Sequence, residues 1–372
     1  MNIVVVLGTR PEAVKMAPVI RALRSHPARP KVQLYLTAQH RELLDQALAL
    51  FELPVDHDLN LMRPGQSLTG LASAVLSGLE PLFAAVRPDL VLVHGDTTTS
   101  FAAALAAFYQ HIPVGHVEAG LRTGDPARPF PEELNRRMAD ALCTHHFAPT
   151  EGARENLLRE NIDPARILVT GNTVIDALRY AAEQPCVFED RRLEALGRAR
   201  ALILVTAHRR ESFGAPFSEI CRALRTIVEG NPDVEIAYPV HPNPNVRDAA
   251  RVLLGDCARI HLLEPLEYLP FVHLMKKSKL ILTDSGGIQE EAPSLGIPVL
   301  VLRDVTERPE AVTAGTARLV GTRHDNIVSA VRELLGDPAA RARMVQVESP
   351  FGDGRAGERI ADYLMQEESQ PR

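Results

Sequence analysis

Short unbroken apolar runs recur along the chain with room for one helix between neighbours, and this rhythm constrains the fold more than any other feature. The first series is IVVVLG (3–8), VQLYLT (32–37), DLVLVHG (89–95), IPVGHVE (112–118) and RILVTG (166–171). After RRLEALGRAR (191–200) it restarts with ALILVTA (201–207), VEIAYPV (234–240), RIHLL (259–263), KLILT (279–283) and IPVLVL (297–302). Runs rich in Val, Ile and Leu, without polar alternation, suit strands buried on both faces of a parallel sheet, with helices as the crossovers. NIVSAVRELLGDP (326–338) is one such helix: Ile327, Val331, Leu334 and Leu335 share a face, and Gly336 and Pro338 predict its end. Two series predict an α/β fold of two doubly wound domains, with ligands at the carboxyl ends of the strands and in a central cleft. The 372 residues are more than one core usually holds. The expected division is 1–170 and 171–354, with a helix in about 355–372 packing back on the first domain.

Composition narrows the function classes. A net charge of −6 leaves no electrostatic footprint for nucleic acid. The start, MNIVVVLGTRPEAVK, carries no positively charged leader, and no apolar stretch reads as a membrane span, so a cytoplasmic protein without a membrane partner is expected. Cys143, Cys186, Cys221 and Cys257 form no C-x-x-C pair and read as reduced, buried residues rather than a zinc or redox site.

Chemistry-bearing residues gather where the runs end. At LILTDSGGIQEE (280–291), Gly286 and Gly287 allow close backbone approach, and a helix starting there points free N–H groups at an anion. Glu290 and Glu291 would repel that anion unless they face something uncharged, such as sugar hydroxyls; the combination suggests a nucleotide or sugar phosphate. GTRPEAVK (8–15) places Arg10 and Lys15 at another helix start, fit for a phosphate or simply solvated; it is not a P-loop. Asp96 in HGDTTTS could cap the next helix or do chemistry, and Glu118 and Arg122 repeat the arrangement one strand later. In RPFPEELNRRMAD, Glu132 and Glu133 open a helix. An i,i+4 pair with Arg136 would explain Glu132 without chemistry, whereas Asp96, Glu118 and Glu132 at strand ends could meet in one cleft. His208, Arg209 and Arg210 follow another strand, where the histidine could bind phosphate or move a proton. YPVHPNPNVR (238–247) could hold a flat base, and TERPEAVTAGT (306–316) sets Arg308 and Glu310 around Pro309. GDGRAG (352–357) fits G-x-G-x-x-G, but no strand precedes it, so NAD is not implied.

These segments resemble the signature segments of the non-hydrolysing UDP-N-acetylglucosamine 2-epimerases. The resemblance rests on GTRPEAVKMAPV, HGDTTT, GHVEAGLRTGD, PEELNR, GNTVIDAL, HRRESFG, PVHPNPNVR, DSGGIQEEAPSLGIPVLVLRDVTERPEAV and AGTARLVG, in the family's order from residue 3 to about 360. It implies two Rossmann-like domains of the GT-B type with a UDP-sugar in the cleft. It also implies that Ser285, Gly286 and Gly287 hold the diphosphate, that Glu291 reaches the ribose, and that Arg10, His208 and Arg308 complete the anion site. Lys15 would assist it and Phe271 would line the uracil pocket.

The reaction the resemblance implies is C2 epimerisation of UDP-GlcNAc to UDP-ManNAc with no redox cofactor and no required metal. UDP is eliminated to give 2-acetamidoglucal and then re-added, because the C2 hydrogen has no neighbouring carbonyl to make it acidic. Asp96, Glu118 and Glu132 would be the acid–base groups, with Asp96 as a base and Glu118 as its partner, and with His208 at the reacting site. Arg136 would orient Glu132 or bind phosphate. A homodimer is implied, and an activating UDP-GlcNAc site with Gln39, Gln66 and His241 as contacts. The competing readings are a hydrolysing epimerase releasing ManNAc and UDP, a retaining GT-B transferase, and a silent UDP-sugar sensor that would not need Asp96 and Glu118.

Overall fold

The computed structural model describes residues 1–37, 41–61, 63, 65–346 and 349–368. The chain forms two compact units, Met1–Arg179 with Phe351–Arg372, and Tyr180–Pro350.

In the first unit the strands are β1 (Asn2–Leu7), β2 (Lys31–Leu36), β3 (His57–Asp58), β4 (Leu90–His94), β5 (Val114–Val117), β6 (His145–Ala148) and β7 (Ile167–Val169). They pair in parallel in the order β3-β2-β1-β4-β5-β6-β7. The helices are α1 (Arg10–Ser25), α2 (Arg41–Leu50), α3 (Leu68–Val86), α4 (Thr98–Tyr109), α5 (Glu132–Leu142), α6 (Glu151–Arg159) and α7 (Thr173–Glu183). Every residue from Ile3 to Leu7 is 0% exposed, which for a pleated strand requires cover on both faces. On one face Val4, Val6, Val91 and Val93 pack under Val75, Leu79 and Phe83 of α3 and the alanines of α4.

The second unit repeats the plan. Its strands are β8 (Ala201–Thr206), β9 (Val234–Pro239), β10 (Ile260–Leu263), β11 (Leu280–Thr283), β12 (Val299–Val301) and β13 (Ala317–Leu319). All pairings are parallel, in the order β10-β9-β8-β11-β12-β13. Its helices are α8 (Arg191–Ala195), α9 (Ala215–Gly230), α10 (Pro244–Leu254), α11 (Tyr268–Lys277), α12 (Gly286–Ser294), α13 (Pro309–Thr313), α14 (His324–Gly336) and α15 (Pro338–Val345). Ile220, Leu224 and Ile227 of α9 join Ile327, Val331 and Leu334 of α14 over the sheet. The last helix, α16 (Ala356–Glu368), belongs to the first unit and packs on α1 so closely that a Cβ on Gly357 would lie 2.9 Å from the Pro18 carbonyl.

Several expectations need correction. The first boundary falls between Arg179 and Tyr180, inside α7 and not at 170/171, and the chain returns at Phe351 rather than near 355. The start of α7 is tied to the first unit: the Asn172 N–H donates to the Phe351 carbonyl (2.7 Å), and the Gly357 N–H donates to Asp176 Oδ1 (2.8 Å). β3, β6 and β13 were not read as strands, because two residues, a His-His-Phe-Ala stretch and an Ala-Arg-Leu triplet carry no apolar run. Pro338 does more than end α14; it opens α15 at the first helical turn, where its missing N–H costs nothing. Cys143 and Cys221 are buried, but Cys186 and Cys257 are half-exposed; all are free. Helix α3 is, by length and composition, long and apolar enough to cross a membrane; Ser77, Glu80 and Pro81 had masked the run, and Leu71, Val75, Leu79 and Phe83 are buried in the unit's core. The glycines of GDGRAG serve packing: Gly352 has φ +110°, and a Cβ there would lie 3.0 Å from Gly171 Cα.

Candidate active site

In both sheets the strand order reverses beside the first strand, between β1 and β4 and between β8 and β11. Crossovers leave such a point on opposite faces, which opens a crevice at the carboxyl ends. The loops after these four strands and the helix starts that follow them carry Arg10, Asp96, His208, Ser285, Gly286 and Gly287.

In the first unit, β1 ends at Gly8, where a Cβ would lie 2.4 Å from Thr99 Oγ1. The expected free N–H groups here are largely spoken for. Glu12 Oε2 accepts from the Gly8 and Thr9 N–H groups (3.1 and 2.6 Å), while Oε1 accepts from the Thr97 and Ser100 hydroxyls (2.8 and 2.9 Å). Burial raises the Glu12 pKa against these bonds. Glu12 thus joins the starts of α1 and α4. The Arg10 side chain has no hydrogen-bond or ion-pair partner among the described residues. Lys15, one turn further along α1, forms a partly buried ion pair with Glu118.

Glu118 follows β5 in a left-handed backbone conformation (φ +66°), uncommon for a residue with a Cβ. Besides Lys15, its Oε2 accepts a hydrogen bond from Asn172 Nδ2 (3.0 Å) and lies 3.8 Å from His94 Nε2. Burial pushes the His94 pKa down to about 3, with Glu118 opposing, so this imidazole is neutral. Neither of its ring nitrogens has a hydrogen-bond partner among the described residues. Gly95, in the adjacent turn after β4, has φ +65°, and a Cβ there would lie 3.7 Å from Glu118 Oε1. Beneath this turn the buried His116 bridges Asp140 Oδ1 (2.6 Å) and the Gly95 carbonyl (2.7 Å). Burial would raise the Asp140 pKa, but His116 and then Arg122 hold it at about 2. Arg122 also pairs with Glu160 (2.6 Å), so this arginine braces the loop after β5.

Asp96 is held from α5. Its carboxylate pairs with Arg136, and its carbonyl accepts from Asn135 Nδ2 (3.0 Å). Arg136 approaches Glu133 at 3.6 Å, so the anticipated i,i+4 pair with Glu132 does not form; residue 133 sits one step round the helix, on the buried side. Glu133 accepts from the Thr123 and Gly124 N–H groups (3.0 and 3.2 Å), which leaves Glu132 half-exposed and without a partner among the described residues.

In the second unit, Asp284 at the end of β11 is fully buried and accepts from the His208 and Arg209 N–H groups (2.6 and 2.7 Å). It also lies 3.2 Å from His208 Nδ1. Burial lowers the His208 pKa, opposed by Asp284 and reinforced by His241, whose ring stacks on His208 at 5.4 Å. Ser285 precedes α12, and Gly286 and Gly287 form its first turn. A Cβ on Gly287 would meet nothing within 4 Å, and one on Gly286 would lie 3.9 Å from the Arg308 guanidinium. A helix N-terminus beside a guanidinium is a ready anion site. The two carboxylates behind it separate by role: buried Glu290 pairs with Arg308, while Glu291 accepts from the Tyr268 hydroxyl (3.1 Å). Phe271 is half-buried on α11.

Gln39 lies outside the described residues. Gln66 is half-buried before α3, where its side chain accepts from the Arg63 N–H (3.4 Å). Sequence reasoning missed His94, His116, Asn172 and Asp284 as candidate residues, although His94 and Asp284 stand at strand ends. Among the described residues, no three or more His, Cys, Asp or Glu are grouped to hold a metal ion.

The UDP-N-acetylglucosamine 2-epimerase family model matches residues 21–365. The UDP-N-acetylglucosamine 2-epimerase of Escherichia coli K12 is 55% identical over 370 residues, covering 98% of each chain. That of Bacillus subtilis 168 is 51% identical over 367 residues, covering 98% of this chain and 95% of its own. The crystal structure of the Neisseria meningitidis UDP-GlcNAc 2-epimerase bound to UDP-GlcNAc superposes with a TM-score of 0.89 at 50% identity, covering 98% of this chain and 100% of that one. With two parallel doubly wound units of GT-B type, and with this similarity along nearly its whole length, the chain belongs to the UDP-N-acetylglucosamine 2-epimerase family.

Proposed function

We propose that this protein interconverts UDP-GlcNAc and UDP-ManNAc by eliminating and re-adding UDP, without releasing free sugar. The observation that carries the reading is the pair of carboxylates on neighbouring strand ends: Glu118, held by Lys15 and Asn172, beside the turn that presents Asp96. Binding alone has no use for such groups, whereas a proton must leave one face of C2 and another must arrive on the opposite face.

In the elimination, a carboxylate takes the C2 proton, the C–H pair becomes the C1=C2 bond of 2-acetamidoglucal, and the C1–O pair leaves with UDP. Re-addition reverses these movements, with the proton delivered to the other face of C2. Asp96 is assigned as base, Glu118 as its partner and Glu132 as a third acid–base group. Developing charge on the departing diphosphate needs fixed donors. Ser285, Gly286, Gly287, His208 and Arg308 supply them in the second unit, and Arg10 is assigned to anion binding in the first. Glu291 and Phe271 are assigned to ribose and uracil. The product would donate ManNAc units to bacterial surface polysaccharide.

The test is product analysis of UDP-GlcNAc turnover by phosphorus and proton NMR. A stable mixture of UDP-GlcNAc and UDP-ManNAc is expected. Free ManNAc with stoichiometric UDP would establish the hydrolysing reaction instead, and unchanged substrate would remove the enzymatic reading.

A further inference from the structure

Glu118 is fixed as a backbone but needs more to be fixed as a side chain. The Ala119 N–H donates to the Phe147 carbonyl (3.1 Å), and the Gly120 N–H donates to Asp140 Oδ2 (3.2 Å). These bonds set the left-handed turn and leave the side-chain torsions of Glu118 to its neighbours. Lys15 supplies charge, but an ammonium on a four-carbon stem gives little direction. His94 faces the same oxygen at 3.8 Å, beyond hydrogen-bond length.

Asn172 is different in kind. It is 3% exposed. Its Oδ1 accepts from the Val174 N–H (3.0 Å), its own N–H donates to the Phe351 carbonyl (2.7 Å), and its Nδ2 donates to Glu118 Oε2 (3.0 Å). The anchor is packed tightly, since Gly171 (φ +86°) and Gly352 (φ +110°) meet backbone to backbone with no room for a side chain between them. An amide held at both its backbone and its oxygen can point its nitrogen in only one direction.

We propose that Asn172 is a positioning residue for the epimerisation: anchored where the chain returns at Phe351–Gly352, its side-chain amide sets the bearing of the Glu118 carboxylate toward the reacting carbon. The inference rests on the reading that Glu118 exchanges a proton with substrate. It gives GNTVIDAL and GDGRAG, which the anion site does not use, a joint role.

Two variants separate positioning from mere structure. Asn172→Asp keeps the volume, the N–H bond to Phe351 and the oxygen that accepts from Val174, and replaces the donor to Glu118 with a second carboxylate oxygen that repels it. Asn172→Ser keeps a short acceptor for the same turn without adding charge, and its hydroxyl is too short to replace the amide. The readouts are steady-state kinetics with UDP-GlcNAc, UDP titration and thermal unfolding. Both variants are expected to lose roughly 10-fold or more in kcat, the scale of a hydrogen bond to a charged group, with KM and UDP affinity close to wild type; Asn172→Ser, which adds no charge, should also keep its Tm. Folded variants with kcat within about twofold of wild type would overturn the positioning role while leaving the epimerase reading intact. Loss of kcat only in step with Tm and UDP affinity would also overturn it, since that is what a structural role does. Wild-type protein that makes no UDP-ManNAc would remove the reading and the inference together.

Discussion

Asp96 and Glu118 stand at the ends of adjacent strands, yet they are held in opposite ways. Asp96 takes its ion pair from a neighbouring helix and remains about one third exposed, whereas Glu118 is mostly covered beside a lysine and sits in a left-handed turn. A left-handed non-glycine residue costs on the order of 1–3 kcal/mol and persists only where its surroundings over-determine it; here the Phe147 carbonyl and Asp140, itself held by His116, do so. Under the proposed reaction, Asp96→Asn should bind UDP with unchanged affinity and lose about 10²-fold or more in turnover, the scale of removing an acid–base group. Titration with UDP and a steady-state assay check this, and near-normal turnover would take Asp96 out of the mechanism. At this scale the sequence was half legible. Strand-end position brought Asp96, Glu118, His208 and Ser285 forward, because acids and glycines at the mouths of apolar runs are visible in one dimension. What each pairs with was not: Lys15 meets Glu118 across 103 residues and Asn172 meets it across 54.

Among the elements, α7 and α16 show how a titratable group can work against the contact it makes. Asp176 on α7 accepts from the Gly357 N–H at the start of α16, yet burial raises its pKa to about 6, and its Oδ2 has no partner among the described residues. A carboxyl whose pKa is raised on folding contributes stability below its unfolded pKa, near the ordinary aspartate value of 3.8, and loses it as pH rises through about 6. The docking of α16 should therefore weaken between about pH 4 and pH 6. Asp176→Asn keeps the acceptor and removes the charge, and should stabilise the protein at pH 7 by on the order of 2 kcal/mol while changing little at pH 4. Denaturant unfolding at the two pH values measures it; equal effects at both would show that charge burial is not the cause. The long apolar strands and the C-terminal helix were legible because their patterns are local. β6 and the exact break inside α7 were not, since a strand containing His145 and His146 is made by its parallel neighbours, and a helix crossing a boundary has no mark in composition.

The whole molecule is one plan built twice, with the same reversal of strand order in each sheet and charged or polar residues on the loops that follow. The repetition was readable from two series of apolar runs, since a parallel strand buried on both faces has no polar face to obscure it. Under the proposed function the chemistry divides between the units: carboxylates follow β4 and β5 in one, and a helix N-terminus with Arg308 follows β11 in the other. That division suits a reaction that must both move a proton at carbon and stabilise a leaving diphosphate. Elimination and re-addition require the C2 hydrogen to leave the sugar, and this is the step to watch. The protein should be incubated with UDP-GlcNAc in D₂O and C2 followed by NMR. The expected result is deuterium at C2 in UDP-ManNAc as it accumulates, with the sugar still joined to UDP. UDP-ManNAc that forms while retaining its original hydrogen at C2 would contradict the mechanism.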